Sequence, residues 1–249
     1  MRLGLPRRGD AAGVVLAAIL LVVVASPALA QQLTLDLGND ASISARSVQL
    51  IALVTVLSLV PGLAVMVTCF PFIVTVLSIL RQAIGLQQSP PNMLIVSLAL
   101  FLTWYVMDPV FTEAWTKGVE PLTRNEIDLQ AAISATLAPF RLFMSARMDG
   151  DTFAALQALR PGEATGPIDA PLSLLVPSFL LSEIQRAFEI GFLIFLPFLI
   201  IDLVVAAVLM SMGMMMVPPA VVSLPFKLAF FVVADGWALI SGALVRSYF

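Results

Sequence analysis

Asp202, Lys227 and Asp235 are the side chains best placed to do chemistry in this chain, because each stands inside a long apolar run. From Ile190 to Val217 the only charge is Asp202, and from Pro218 to Val245 the only charges are Lys227 and Asp235. An ionisable group in such a run is costly to desolvate and therefore faces a partner, a cavity or a pathway. Gly213 and Pro218-Pro219 mark a bend between the two runs. With the bend near residue 214 or 215, Asp202 lies about 13 residues before it and Lys227 about 12 after, so antiparallel helices bring both to one height. An ion pair within the hairpin is one reading. The other, equally open on sequence, is that each charge bonds to backbone or to a neighbouring subunit for structure alone. Lys227 and Asp235 are eight residues apart, about 12 Å along a helix, and cannot pair unless that helix breaks. Asp202 and Asp235 are also the carboxylates an intramembrane enzyme would use, and one of them would then need a raised pKa.

Two further groups have suggestive spacing. Glu183, Arg186 and Glu189 stand three residues apart in succession, which sets them on one helical face. That pattern fits either a solvated, salt-bridged turn at a membrane edge or a contact between subunits. Met210, Met212, Met214, Met215 and Met216 supply five of the 11 methionines at a predicted helix break. Unbranched thioethers adapt to irregular shapes, so a ring of such loops could close a pore and still yield to a passing chain. The plainer reading is gap-filling at a turn.

Beyond these groups the chemical repertoire is small. There is no histidine, and the single cysteine, Cys69, sits in an apolar stretch, which excludes imidazole catalysis, the usual zinc sites and internal disulfides. HExxH, GxSxG and phosphate-loop motifs are absent from the sequence. Neither an enzyme nor a cofactor is expected. The charge balance is 13 basic to 16 acidic residues, with a basic cluster only at the extreme N-terminus, so nucleic acid is not an expected partner.

The elements that must hold these residues are set by composition. The chain of 249 residues is 60% hydrophobic and 12% charged, with a mean hydropathy of +1.01, so membrane lipid or a large apolar assembly surrounds much of it. Arg2, Arg7 and Arg8 precede an apolar stretch, Ala11 to Ala25, and an Ala28-Leu29-Ala30 site: the pattern of a signal peptide cleaved after residue 30. The mature chain then carries 10 basic and 15 acidic side chains, net −5, and starts outside the cytoplasm. It divides into a first apolar helical hairpin over 31–111, a polar periplasmic insertion over 112–175 and a second apolar hairpin with its Met-rich loop over 176–249. Val48 to Leu80 has 33 residues without charge, about 50 Å as one helix and too long for a hydrocarbon core of about 30 Å. Pro61-Gly62 and Pro71 are expected to break or kink it. Met93 to Met107 follows a Gly85, Pro90-Pro91 turn. The insertion holds eight acidic and five basic residues, with helical spacing in DLQAAISATLAPFRLFMSAR and a loop-like Gly/Pro-rich end. The expected fold class is therefore an all-α membrane protein of two long, proline-broken hairpins and a partly helical extracytoplasmic insertion, with four crossings on hydropathy alone.

Three stretches resemble the FliP family of type III secretion proteins, called SctR in virulence systems: LSILRQAIGLQQSPPNMLIVSLALFLTWYVMDPV (77–110), LSEIQRAFEIGFLIFLPFLIIDLVVAAVLMSMGMMMVPP (181–219) and LPFKLAFFVVADGW (224–237). The resemblance implies a gate subunit passing unfolded flagellar proteins across the bacterial inner membrane at the flagellar basal body. It implies about five copies with FliQ-like and FliR-like membrane subunits in a helical pseudo-hexameric ring, alongside further export apparatus subunits. Its hairpins would be largely lifted out of the bilayer plane, and its drive would come from a separate ATPase and the proton motive force. It matches Met210–Met216 to a pore-closing gasket and assigns Glu183 and Lys227 to contacts between subunits. The cleavable signal and sizeable insertion resemble the flagellar branch. The rival reading from the residues is an ion or small-molecule transporter, since proline-broken helices with buried charge also build such sites.

Overall fold

The computed structural model describes residues 43–86, 90–159, 166–214 and 216–249; the signal peptide expected over 1–30 and Met215 lie outside the described residues. Every regular element among them is a helix. The helices are α1 (Ile43–Met66), α2 (Phe70–Ile84), α3 (Asn92–Ala114), α4 (Glu120–Thr123), α5 (Leu129–Arg147), α6 (Gly150–Ala158), α7 (Leu172–Ser211), α8 (Pro219–Val233) and α9 (Gly236–Arg246), with one π turn over Trp115–Val119 between α3 and α4. The chain divides into two units at residues 56 and 57, inside α1, and all the packing below belongs to the second.

The break in the long uncharged stretch falls between Met66 and Phe70, and α1 runs on through Pro61 and Gly62. Pro71 sits in the first turn of α2, where its missing N–H would have had no partner in any case. Thr68 closes the corner: its hydroxyl donates to the Val65 carbonyl (2.8 Å) and accepts from the Phe70 N–H (3.3 Å). Pro61 removes one helical bond, and an apolar stretch with no competing water keeps the remaining ones. α2 ends at Gly85, whose φ of +88° places it in the left-handed region open to glycine. α3 returns antiparallel: Asn92 Oδ1 accepts from Arg81 at one end, and Thr103 lies beside Cys69 at the other.

Ser47–Met66, Asn92–Thr123 and Leu172–Ser211 are each long and apolar enough to cross a membrane, and α8 with α9, bent by 60° at residues 234–235, makes a fourth candidate. The span that begins at Asn92 carries on past residue 112 to Thr123 by way of the π turn. That turn brings Gly118 so close to α5 that a Cβ there would lie 2.0 Å from Thr136 Oγ1 and 2.7 Å from its backbone nitrogen. α5 starts at an Asp128 cap accepting from the Ala131 N–H (3.0 Å), and α6 at an Asp149 cap accepting from the Thr152 N–H (2.8 Å).

The 40-residue α7 is about 60 Å long, twice a hydrocarbon core, and organises the rest. Its first part buries Leu175 and Phe179 against Met144 and Phe153 of α5 and α6. Its middle packs on α2, where Gly191 admits Ile79; a Cβ there would lie 2.4 Å from Ile79 Cδ1. Yet only 11% of its most apolar window is buried by the chain itself, and Phe192, Leu193, Ile200 and Leu203 stand in the open. A helix apolar all round must be covered by lipid or by other subunits. The molecule is an all-α membrane protein.

Candidate functional site

Two polar nodes interrupt the apolar packing, both on α7 and about 28 Å apart along it. The first joins α7, α8 and α2. Lys227 Nζ lies 2.6 Å from Asp202 Oδ2 and 3.1 Å from the Ala83 carbonyl, and the Ser223 hydroxyl donates to Asp202 Oδ1 (2.6 Å). Lys227 is nearly buried while the Asp202 side chain keeps 35% exposure, so the cation is desolvated and its counter-ion retains some water. The Ala83 carbonyl is one of the four at the end of α2 without a helical donor, at the negative end of that helix; an ammonium is the group best suited to it. Lys227 thus does two jobs: it pairs across the hairpin and caps a helix from another. Ser223, which the sequence reading missed, stands four residues before Lys227 and so on the same face of α8, a signal that was available.

The second node joins α7, α5 and the C-terminus. Glu183 is fully buried; Oε1 accepts from Arg147 Nε (3.1 Å) and Oε2 from the Tyr248 hydroxyl. Arg147 Nη1 donates to the Ser247 carbonyl (2.7 Å), and the guanidinium lies 4.0 Å from the centroid of the Tyr248 ring. Phe143 stacks on that ring and Phe72 meets it edge-on. Burial, with the Glu183 carboxylate beside it, pushes the Tyr248 phenol up, so it stays a donor at neutral pH. Cys69 lies close by, and burial raises its thiol to about 12, which makes it an inert core residue rather than a nucleophile. Arg147 and Tyr248 lie 36 and 65 residues from Glu183, and no local periodicity announces them.

The face shared by Glu183, Arg186 and Glu189 is split. Glu183 turns inward, Arg186 is half-buried and makes no hydrogen bond or ion pair among the described residues, and Glu189 is exposed and accepts from Gln185 (3.1 Å). Arg186 instead supports the Asp149 carboxyl, which the Thr152 N–H and hydroxyl hold below the usual carboxylate range. Asp235 sits at the α8–α9 break in the left-handed region, φ +48°, and its side chain makes no hydrogen bond or ion pair among the described residues. The helix break that could have freed Asp235 to approach Lys227 is present, but Lys227 is taken by Asp202.

The methionine run forms the tip between α7 and α8, turning on Gly213 at φ +73°. Met210, Met212 and Met214 are exposed and Met216 is 95% exposed, so these side chains project from the chain instead of filling it. Behind the tip lies a cleft of about 550 Å³ lined only by apolar groups, among them Val204, Val208, Met212, Met214 and Phe226. No cluster of three His, Cys, Asp or Glu side chains able to hold a metal ion occurs among the described residues. What the arrangement offers is a hairpin, its arms pinned by the Lys227–Asp202 pair, that presents a soft apolar tip.

A model of the FliP family matches residues 53–244. Proteins named flagellar biosynthetic protein FliP are similar over most of this chain. The one from Caulobacter vibrioides is 50% identical over 237 residues, covering 94% of this chain and 89% of its own; that from Agrobacterium fabrum is 49% identical, covering 91% and 96%. The Bacillus subtilis protein is 44% identical, covering 85% and 96%.

Proposed function

Because this chain belongs to the FliP family, and so to the membrane part of the flagellar export apparatus and to no class of enzyme, we propose that it is the core pore-forming subunit of the export gate. In this reading it passes unfolded flagellar proteins across the inner membrane. About five copies form a ring with FliQ-like and FliR-like subunits, and residues 112–175 stand on the periplasmic side. The observation that carries the reading is the exposed methionine tip on a braced hairpin. Copies arranged about an axis would bring Met210, Met212, Met214, Met215 and Met216 together as an apolar constriction that excludes water and ions but deforms around a chain.

Glu183 and Lys227 are satisfied within the chain, so a contact of either with a neighbouring subunit requires exchange of Arg147 or Asp202 for a partner across the interface. Their part in assembly would be felt in the step from free subunit to ring. The outward faces of α7, bearing Phe192, Leu193, Ile200 and Leu203, supply the apolar area such a ring would cover.

The test is replacement of Met214, Met215 and Met216 together by Ala. Expected is a raised ion conductance in cells carrying the assembled gate, measured by membrane potential, with export of flagellar subunits retained. A tight membrane in cells that still assemble and export would sink the constriction.

A further inference from the structure

Asp108 is an exposed carboxylate on a helix that is otherwise apolar enough to cross a membrane, and it has no hydrogen bond or ion pair among the described residues. It stands in a hollow of about 350 Å³ with Trp104, Tyr105, Pro109 and Phe249. Trp104 and Tyr105 are 64% and 65% exposed, and Phe249, the last residue, is 79% exposed. Three aromatic faces around one carboxylate make a receptor for a cation, and for a guanidinium above all, which stacks on rings while its N–H groups meet the carboxylate.

We infer that this hollow receives Arg246 of a neighbouring copy of this chain. The proposal rests on the ring proposed above and adds to it a specific contact. Of the basic side chains described, only Arg186 and Arg246 lack a hydrogen bond or ion pair, and Arg186 already neighbours the Asp149 carboxyl. Arg246 is exposed at the end of α9. Its guanidinium folds back along its own helix, 3.8 Å from where a Cβ on Gly242 would stand, and forms no ion pair with Asp108 of its own chain. Arg246 precedes Phe249 by three residues, and Phe249 lines the hollow, so donor and receptor lie at the same level of the bundle. Rotation about an axis along the bundle preserves that level, so a head-to-tail ring can join Arg246 of one copy to Asp108 of the next. The competing occupant, a lipid ammonium group at an aromatic membrane-interface belt, uses the same chemistry but requires no second copy.

The full chain, co-expressed with its small membrane partners, is made in two differently tagged forms, one carrying Asp108→Cys and the other Arg246→Cys. Cys69 is buried and does not compete. A short bis-maleimide, which restores the reach lost when Arg246 becomes cysteine, should yield a crosslinked species bearing both tags. In separate preparations, Asp108→Arg alone should lower the ring fraction in native mass spectrometry by roughly tenfold, since two arginines then meet, and Asp108→Arg with Arg246→Asp should restore it. A wild-type ring with no mixed-tag crosslink, or a double reversal no better than the single one, overturns the contact while leaving the ring intact. Absence of any multimer in the wild type overturns the ring and the contact together.

Discussion

Replacing Lys227 by Met keeps the length of the side chain and removes the ammonium. Asp202 then retains only the Ser223 hydroxyl, and the Ala83 carbonyl at the end of α2 loses its donor. Breaking a buried pair by deleting one partner costs about 3–5 kcal/mol. The lower end applies here, because the 35% exposure of Asp202 lets water replace part of what is lost. About 3 kcal/mol in a chain of this size corresponds to a fall in melting temperature of roughly 6–12 °C. Asp202→Asn leaves a nearly buried ammonium facing a neutral amide and should cost a similar amount. The double variant leaves no charge unpaired, so it should be less damaged than the sum of the two by about 1–3 kcal/mol. The assay is a double-mutant cycle on the detergent-solubilised full chain, followed by thermal or denaturant unfolding. Additive single and double effects would refute the reasoning, because independent losses mean that the two groups do not stabilise each other.

Tyr248→Phe removes one hydroxyl near the chain end and leaves a Glu183 oxygen unpaired in the core, an expected loss of about 1.5–3 kcal/mol by the same unfolding assay. An exposed, frayed C-terminus would instead show no change. Gly191→Ala forces the new methyl onto Ile79 and should cost about 1–3 kcal/mol, mostly recovered by adding Ile79→Val, which deletes the Cδ1 that stands 2.4 Å away. Gly118→Ala meets the Thr136 hydroxyl and, at 2.7 Å, its backbone nitrogen, which no side-chain trimming relieves, so Thr136→Ala, although it removes the hydroxyl, should not rescue it. The Asp149 carboxyl is held below its ordinary value in the folded chain, so its contribution is present above the unfolded carboxylate range and lost as pH falls through the native value. Protection factors of the α6 amides, taken from hydrogen exchange after correction for the intrinsic pH dependence, should therefore fall on acidification, and Asp149→Asn should flatten that dependence.

The helices and their apolar outward faces were legible from sequence because runs without charge admit no other solution in an apolar medium: every backbone group must be satisfied within its own segment. The Asp202–Lys227 pair was legible for a related reason, since one bend and two nearly equal spacings fix the relative height of residues on an antiparallel hairpin. Pro61 misled because proline signals a break in water more strongly than in an apolar span. The Glu183 node was not legible. Its partners come from α5 and from the second-last residue, and only packing α7 against α2 and α5 could show that Glu183 faces inward while Arg186, three residues on, does not. Local spacing determines what a helix carries on each side. Which side is covered, and by what, depends on contacts between residues far apart in sequence, and those exist only once the chain has folded.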